Sequence, residues 1–593
     1  MKHHNSHKKH HSRHSSHSSS RSSHKHSEHH EHPEHHEHPE HHANCCNRTF
    51  QNESAILRSE LGKKQAKHYC HPVPHENIEE KRYKSHNYNA EFTKGLQHDI
   101  NTGTLIATRD YEKLRHAVIN NKQKELVRVP MAISAEGKFV SPLASLATQL
   151  VGAPQCVLKI NDPPSLASPA ACELLENYAM AIARDIPFIN YATDPTIAQI
   201  LQTTRINSPD VLDNLEYYYP TGQAITAQTL FRGTNPDAQV GPYISQLLLL
   251  NVPMGPGIME QQYFSAKPRS QAFGRVEWGV NAPEMIAIEN TNFSLLPPYN
   301  QIDTQQTYIY NGRCLGEAVH NDAAYQFFYQ AANILMGMGA SSNPGIPSYP
   351  NQVGFVTGFG GPNILCAVAE VTGYAFRTAW YYKWQIFRKL RPEVMSLWVD
   401  NIKNGRVSND NNYNITDIIL NNGLMDDINN YNSFYSTIES YTLPQDYLQG
   451  SPLHPSYPAG HATFSGACAT VLKIMFNCNQ PWSSLPGFTS VKIANNNGSA
   501  LVDYTGADSG LLTINGEINK LAYNIAFGRN MAGVHYRSDA IQSLQLGEQV
   551  AIKFMSDYLS ATVENNLDGI VPTITFTKFD GTVGYVIPTI CKK

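Results

Sequence analysis

The chain lacks any run of 18 or more apolar residues, so no membrane-spanning helix is expected; LLLLNV (247–252) is core-sized at most. It also lacks an apolar stretch near its N-terminus, so no ordinary secretory signal is visible. Its ten cysteines are scattered, only Cys45 and Cys46 are adjacent, and the CxxC spacing of zinc sites is missing. Buried thiols in a reducing compartment are therefore expected rather than a disulfide framework, which favours the cytosol. A formal net charge of -4 is close to neutral for 593 residues and suggests neither a nucleic-acid nor a membrane-surface partner, so neither is expected. What is present is 41% hydrophobic residues in a chain long enough to bury a large core.

Histidine is distributed unevenly. Seventeen of the 27 lie in the first 42 residues, ending in the repeat EHPEHH-EHPEHH (31–42). Residues 1–43 carry almost no apolar side chains to offset chain entropy and read as a disordered tail. That tail is either a loose divalent-metal binder or a solvated segment with no role of its own. Residues 44–90 are polar and irregular and read as a linker or peripheral arm, leaving 91–593 as the folded domain. Apolar residues at 3 and 4 spacing predict helices over 168–186, 322–339, 364–387, 463–476 and 538–558, while 573–579 and 584–590 alternate like strands. The expected fold is mainly α, packed helical bundles with a few short strands.

After His116 only His320, His454, His461 and His535 remain, and three of them sit in distinctive surroundings. In WYYKWQIFRKLRPE (380–393), Lys383 lies in a helix and Arg391 directly precedes Pro392, which is expected to end that helix and turn both cations towards one pocket. Taken alone, such a run is more often a solvated helix terminus favoured by the macrodipole. In HPSYPAGHATFSG (454–466) a loop enters a helix at Pro458-Ala459-Gly460-His461. Free backbone N–H groups at such a start attract anions, Gly460 permits close approach, and His461 can reach the ligand from the first turn. In AFGRNMAGVHYRSDAIQ (526–542), Arg529 and His535 are six apart and would point away from each other on an unbroken helix, but Gly533 offers a break. Asp539 either orients His535 or is an exposed carboxylate. Together the motifs supply three cations, a backbone nest and two imidazoles, an inventory suited to a tetrahedral oxyanion.

The order Lys-x7-Arg-Pro, Pro-x-Gly-His, Arg-x5-His resembles the signature of the vanadium-dependent haloperoxidases, which share their fold with type-2 phosphatidic acid phosphatases and bacterial acid phosphatases. The seven-residue gap, with EFTKGLQHD (91–99), FRGTNPDAQVGPYISQLLL (231–249), VHNDAAYQ (319–326) and GFGGPNILCAVAEV (358–371), is similar to the algal bromoperoxidases. The resemblance covers roughly residues 90 to 560. It implies a vanadate cofactor bound covalently by His535, with Lys383, Arg391, Arg529 and the Gly460 N–H on its oxygens. It implies His461 as the acid–base residue and His454 as the nearby histidine that favours bromide or iodide over chloride. Asp322 matches the carboxylate that supports this histidine or the neighbouring arginine, and Trp380 matches a pocket aromatic. The implied reaction is oxidation of halide by hydrogen peroxide to hypohalous acid, which halogenates a small organic acceptor; phosphomonoester hydrolysis in the same pocket is the competing reading. Relatives assemble into homo-oligomers, and algal-type relatives often work outside cells. One departure stands out: the family usually has serine where this chain has Ala459, so weaker vanadate binding is expected.

Overall fold

The computed structural model describes residues 52–64, 77–132, 135–144, 147, 149–215, 217–218, 222–263, 276–298, 305–347, 351–561 and 573–588. The histidine-rich tail lies outside them. The main helices are α1 (Glu173–Ala183), α2 (Gly312–Ala318), α3 (Gln326–Gly337), α4 (Gly361–Tyr381), α5 (Pro392–Lys403), α6 (Gly460–Met475), α7 (Ile514–Met531) and α8 (Arg537–Ala561). Among the described residues sheet is confined to three antiparallel hairpins: β1–β2 (Val252–Met254, Gly257–Met259), β3–β4 (Lys492–Ala494, Leu501–Asp503) and β5–β6 (Ile574–Thr577, Val583–Val586). Among the described residues no helix is long and apolar enough to cross a membrane.

Helix α6 is the centre of the bundle and packs on α8, α4 and α7. Every residue of it except His461 is buried, in keeping with a sequence apolar or small on all sides. The α6–α8 contact depends on one glycine from each helix. A Cβ at Gly466 would meet the Leu544 carbonyl oxygen at 2.1 Å, and one at Gly547 would meet that of Thr463 at 2.0 Å. Such closeness fixes the start of α6 against the start of α8, which is where the second and third motifs meet.

Two sequence expectations need correction. Pro392 does not end the helix that carries Lys383. After α4 the chain makes a π-helical turn, Tyr382–Phe387, stopped by Arg388 in the left-handed conformation (φ 41°, ψ 33°). Arg391 is extended, and Pro392 instead opens α5, where its fixed φ and missing N–H suit the first helical position. Nor does the peripheral arm reach residue 90. Residues 52–64 are helical, and from Asn77 the chain belongs to the domain: Tyr83 and Tyr88 are buried, and Glu80 pairs with Arg388 through two hydrogen bonds of 2.9 Å.

Candidate active site

The first cation is set by the π-helical turn. The Lys383 ammonium is fully buried and donates to the carbonyls of Pro455 (2.5 Å) and Ser456 (2.8 Å). Its third proton is left for a ligand. Burial, then the charge of Arg391, lowers its proton affinity well below the usual lysine value. Arg391, also fully buried, donates to the backbone carbonyls of Val534 (2.7 Å) and His454 (2.8 Å), to His535 Nε2 (3.0 Å) and to His454 Nδ1 (3.0 Å). Burial lowers its pKa to about 10. Arg529, near the end of α7, donates to the Val319 carbonyl (2.9 Å) and the Tyr447 hydroxyl (3.3 Å), and its Nε has no hydrogen-bond partner among the described residues. None of the three meets a carboxylate within ion-pair distance among the described residues, and all are at least 95% buried.

The imidazoles are held in defined states. A guanidinium only donates, so His535 Nε2 must present a lone pair to Arg391; its proton therefore sits on Nδ1 and is donated to Asp539 Oδ2 at 2.8 Å. Asp539 is fully buried, not an exposed carboxylate, and also accepts from the Ser456 hydroxyl. Burial and the neighbouring charges of Arg391, Lys383 and Arg529 hold the His535 pKa well below 6.5. Gly533, at φ +84°, supplies the break between α7 and α8 that aims Arg529 and His535 into one space. His454 is kept neutral by burial and by Lys383 and Arg391. His461 Nε2 lies 2.8 Å from Asp322 Oδ1. Asp322 therefore attends His461, not His454 or an arginine, because the first turn of α6 carries His461 outward while His454 stays on Arg391.

At the start of α6, Ala459 has the extended conformation of a capping residue (φ −71°, ψ 127°) but no side-chain cap hydrogen bond, so the first-turn N–H groups lack that partner. A Cβ at Gly460 would meet the Trp380 ring at 3.1 Å, so glycine here also lets the wall close. Trp380 lies 4.9 Å from the His454 ring and 5.8 Å from the Lys383 ammonium, centroid distances that make it a wall of the pocket.

A vanadium-dependent bromoperoxidase from Ascophyllum nodosum is 31% identical over 510 residues, covering 83% of this chain and 86% of the relative. The chain belongs to the vanadium-dependent bromoperoxidase family. A second relative of that name, from Corallina pilulifera, is 28% identical over 559 residues, covering 83% of this chain and 90% of its own. The solved homohexameric structure of the second vanadate-dependent bromoperoxidase of Ascophyllum nodosum superposes with a TM-score of 0.78 at 26% identity, over 91% of this chain and 90% of that one. A family profile described as the VCPO second helical-bundle domain matches residues 429–563, which hold α6 to α8 and two of the three motifs. The relatives are named for their dependence on vanadium or vanadate, and the residues present here fit such an oxyanion: a neutral imidazole whose Nε2 lone pair faces buried cations, a buried guanidinium nitrogen without a hydrogen-bond partner among the described residues, and a helix start without a side-chain cap. Among the described residues no three His, Cys, Asp or Glu side chains gather as a cage for a simple cation.

The motifs did not reveal every contributor. Ser456 lies inside HPSYPAGH, yet nothing in the pattern says that its hydroxyl serves Asp539 while its carbonyl serves Lys383. Tyr447 supports Arg529 from below (5.0 Å, guanidinium to ring centre) with no sequence signal at all. Ser543, one turn into α8, accepts from the Ala459 N–H at 2.8 Å and so fixes the turn from the far side.

Proposed function

We propose that this protein oxidises bromide or iodide with hydrogen peroxide to hypohalous acid, using vanadate bound at His535, and that the product halogenates small organic acceptors. One observation carries the reading. Three buried cations without a carboxylate in ion-pair distance among the described residues surround a neutral His535 whose Nε2 lone pair faces them. When bound, vanadate supplies a Lewis-acidic centre that activates peroxide without changing its own oxidation state. His535 Nε2 would be its ligand, with Asp539 fixing the tautomer and strengthening the donor nitrogen from behind. The free proton of Lys383, the Arg391 N–H that now reaches His535 Nε2, the Arg529 guanidinium with its unpartnered Nε and the Gly460 N–H would hold the oxygens. Neutral His461 takes the proton from incoming peroxide, and Asp322 holds its ring in place and stabilises the imidazolium that results. The net reaction converts peroxide, halide and one proton into hypohalous acid and water.

The homohexameric neighbour supports a homo-oligomeric assembly. Phosphomonoester hydrolysis in the same pocket is not favoured, because the similarity outside the motifs follows the bromoperoxidases. If the histidine-rich tail is a divalent-metal binder accessory to catalysis rather than a solvated segment, deleting residues 1–43 removes metal uptake and leaves bromination intact. The main test is bromination of a phenol indicator with peroxide, with and without orthovanadate, repeated on His535→Ala. Activity requires vanadate and is lost in the variant. Activity that ignores vanadate, or ester hydrolysis that vanadate inhibits in place of bromination, overturns the proposal.

A further inference from the structure

The chain carries an apolar, charge-free surface that the pocket chemistry does not use. Between Asp322 and Glu370 not one residue of 323–369 is Asp, Glu, Lys, Arg or His. Part of this stretch is core, but the loop leading into α4 is not: Val353 is 91% exposed, Phe355 66% and Val356 71%. The loop is braced rather than slack. Phe355 N–H donates to the Thr357 carbonyl (3.0 Å), and its carbonyl accepts from Asn363 N–H (3.1 Å). The Asn363 side chain donates to the Val356 carbonyl (3.2 Å) and accepts from Phe359 N–H (3.2 Å). Gly354 packs so tightly that a Cβ would meet the Gly358 carbonyl oxygen at 2.0 Å. Three large apolar side chains are thus held outward at fixed positions, at a cost in solvation that a free surface would not need.

A second apolar projection stands on the same support. The β1–β2 hairpin exposes Met254 and Ile258, and 238–259 is likewise free of charge. Its Pro253 packs on Gly337 at the end of α3, where a Cβ would meet it at 2.6 Å, and the adjacent Met336 lies against Gly361 at the start of α4. The hairpin therefore rests on Gly337, and its neighbour Met336 packs on the start of α4, into which the loop leads. Contiguous exposed apolar surface without charge marks an interaction site, and charge depletion characterises the cores of interfaces between subunits.

We propose that this face, centred on Val353, Phe355 and Val356 and extended by Met254 and Ile258, is where a second copy of this chain docks. The inference rests on the homo-oligomeric assembly proposed above. A structural neighbour that matches 91% of this chain is itself homohexameric, which commits the occupant to another copy rather than a foreign partner. Because the loop leads directly into α4, whose far end carries Trp380 and the turn of Lys383, docking also clamps the helix that leads to the pocket.

The test is light-scattering chromatography of the full chain and of the triple variant Val353→Lys, Phe355→Lys, Val356→Lys over a concentration series. Val127→Lys, another highly exposed apolar position, serves as the control. The triple variant is expected to dissociate with subunit affinity weakened by about 100-fold or more, as for loss of central apolar anchors, while the control keeps the wild-type mass. Vanadate-dependent bromination retained by the triple variant at low concentration shows that it is folded. A wild-type chain that runs as a monomer overturns the assembly reading and this inference with it. A wild-type oligomer that the folded triple variant leaves intact overturns only the placement of the interface. Hydrogen exchange gives a second reading that needs no variant: amides of 351–360 and 252–259 slow with assembly if the face is buried, and unchanged exchange refutes it.

Discussion

Replacing Ala459 by serine tests the pocket at a helix start that has no side-chain cap. The backbone there is already that of a helix cap, and the site is 2% exposed, so serine enters without rearrangement of the chain. Its hydroxyl has one proton and two lone pairs, enough to accept from a first-turn N–H of α6 and donate to an oxyanion at once. These roles separate experimentally. The cap is worth about 0.5–2 kcal/mol and is present without ligand, so the vanadate-free variant should unfold at a higher temperature than the vanadate-free wild type. The new bond to a charged ligand is worth about 1.5–3 kcal/mol. At about 1.4 kcal/mol per decade, vanadate affinity should rise roughly ten- to a hundredfold. Calorimetric titration of orthovanadate into both proteins, in buffer free of phosphate, measures it directly. A variant that gains thermal stability but binds vanadate no more tightly refutes the reasoning, because it shows that a water already provides the missing donor.

Three further outcomes are expected. Burial lowers the His461 pKa below 6.5 while Asp322 pulls it back up; in Asp322→Asn that support is lost, so the acid limb of kcat/KM should move to lower pH, and a limb that stays put or moves up removes Asp322 from this role. His454→Phe keeps a ring against Trp380 but deprives Arg391 of its 3.0 Å acceptor, and the ratio of bromide to chloride turnover should fall about tenfold, the worth of one hydrogen bond to a charged group; dominant chloride turnover by the wild type would contradict the assignment to the bromide branch. Lys94→Met removes the buried partner of Glu393 (2.7 Å), whose carboxylate also receives Ser451 N–H (2.8 Å) from the loop that leads to His454. The variant should be less stable by about 3–5 kcal/mol and bind vanadate more weakly, and a thermal unfolding profile like that of the wild type would show the pair to be dispensable.

The helices around the pocket were legible because their apolar spacing agrees with the packing. The predicted 463–476 became Gly460–Met475, and 538–558 became Arg537–Ala561. Gly533 was legible for a related reason: two side chains that must share a pocket from one helical run need a break, and a residue at φ +84° provides it. The π-helical turn before Arg388 was not legible, since no local propensity separates it from ordinary helix and Pro392 offered a more obvious stop. The partner of Asp322 was ambiguous because its choice among nearby groups depends on which way the start of α6 faces, a property of the α6–α8 contact rather than of VHNDAAY. Tyr447 and Ser456 act through one aromatic face and one carbonyl, features that any tyrosine or serine carries.

The charge arrangement shows why the pocket requires an anion rather than merely admitting one. Elsewhere the fold buries arginines beside carboxylates: Arg184 and Arg313 share Glu277, Arg313 also meets Asp185 and Asp446, Arg388 meets Glu80, and Arg537 meets Glu176. Arg232 meets only carbonyls, but it is a single cation. In the pocket three cations converge, and the carboxylates that approach them are engaged elsewhere, Asp539 with His535, Asp322 with His461 and Glu393 with Lys94. The low proton affinity of Lys383 is the physical record of that imbalance, since burial and the charges of Arg391 and Arg529 outweigh the attraction of Asp539. A multiply charged oxyanion reverses the sign of the field at Lys383 and so draws a full proton charge back onto it. Alanine at 459 supplies no side-chain donor to this arrangement and leaves its charge untouched, so a serine there is expected to tighten the hold on the anion without changing what the pocket is built to hold.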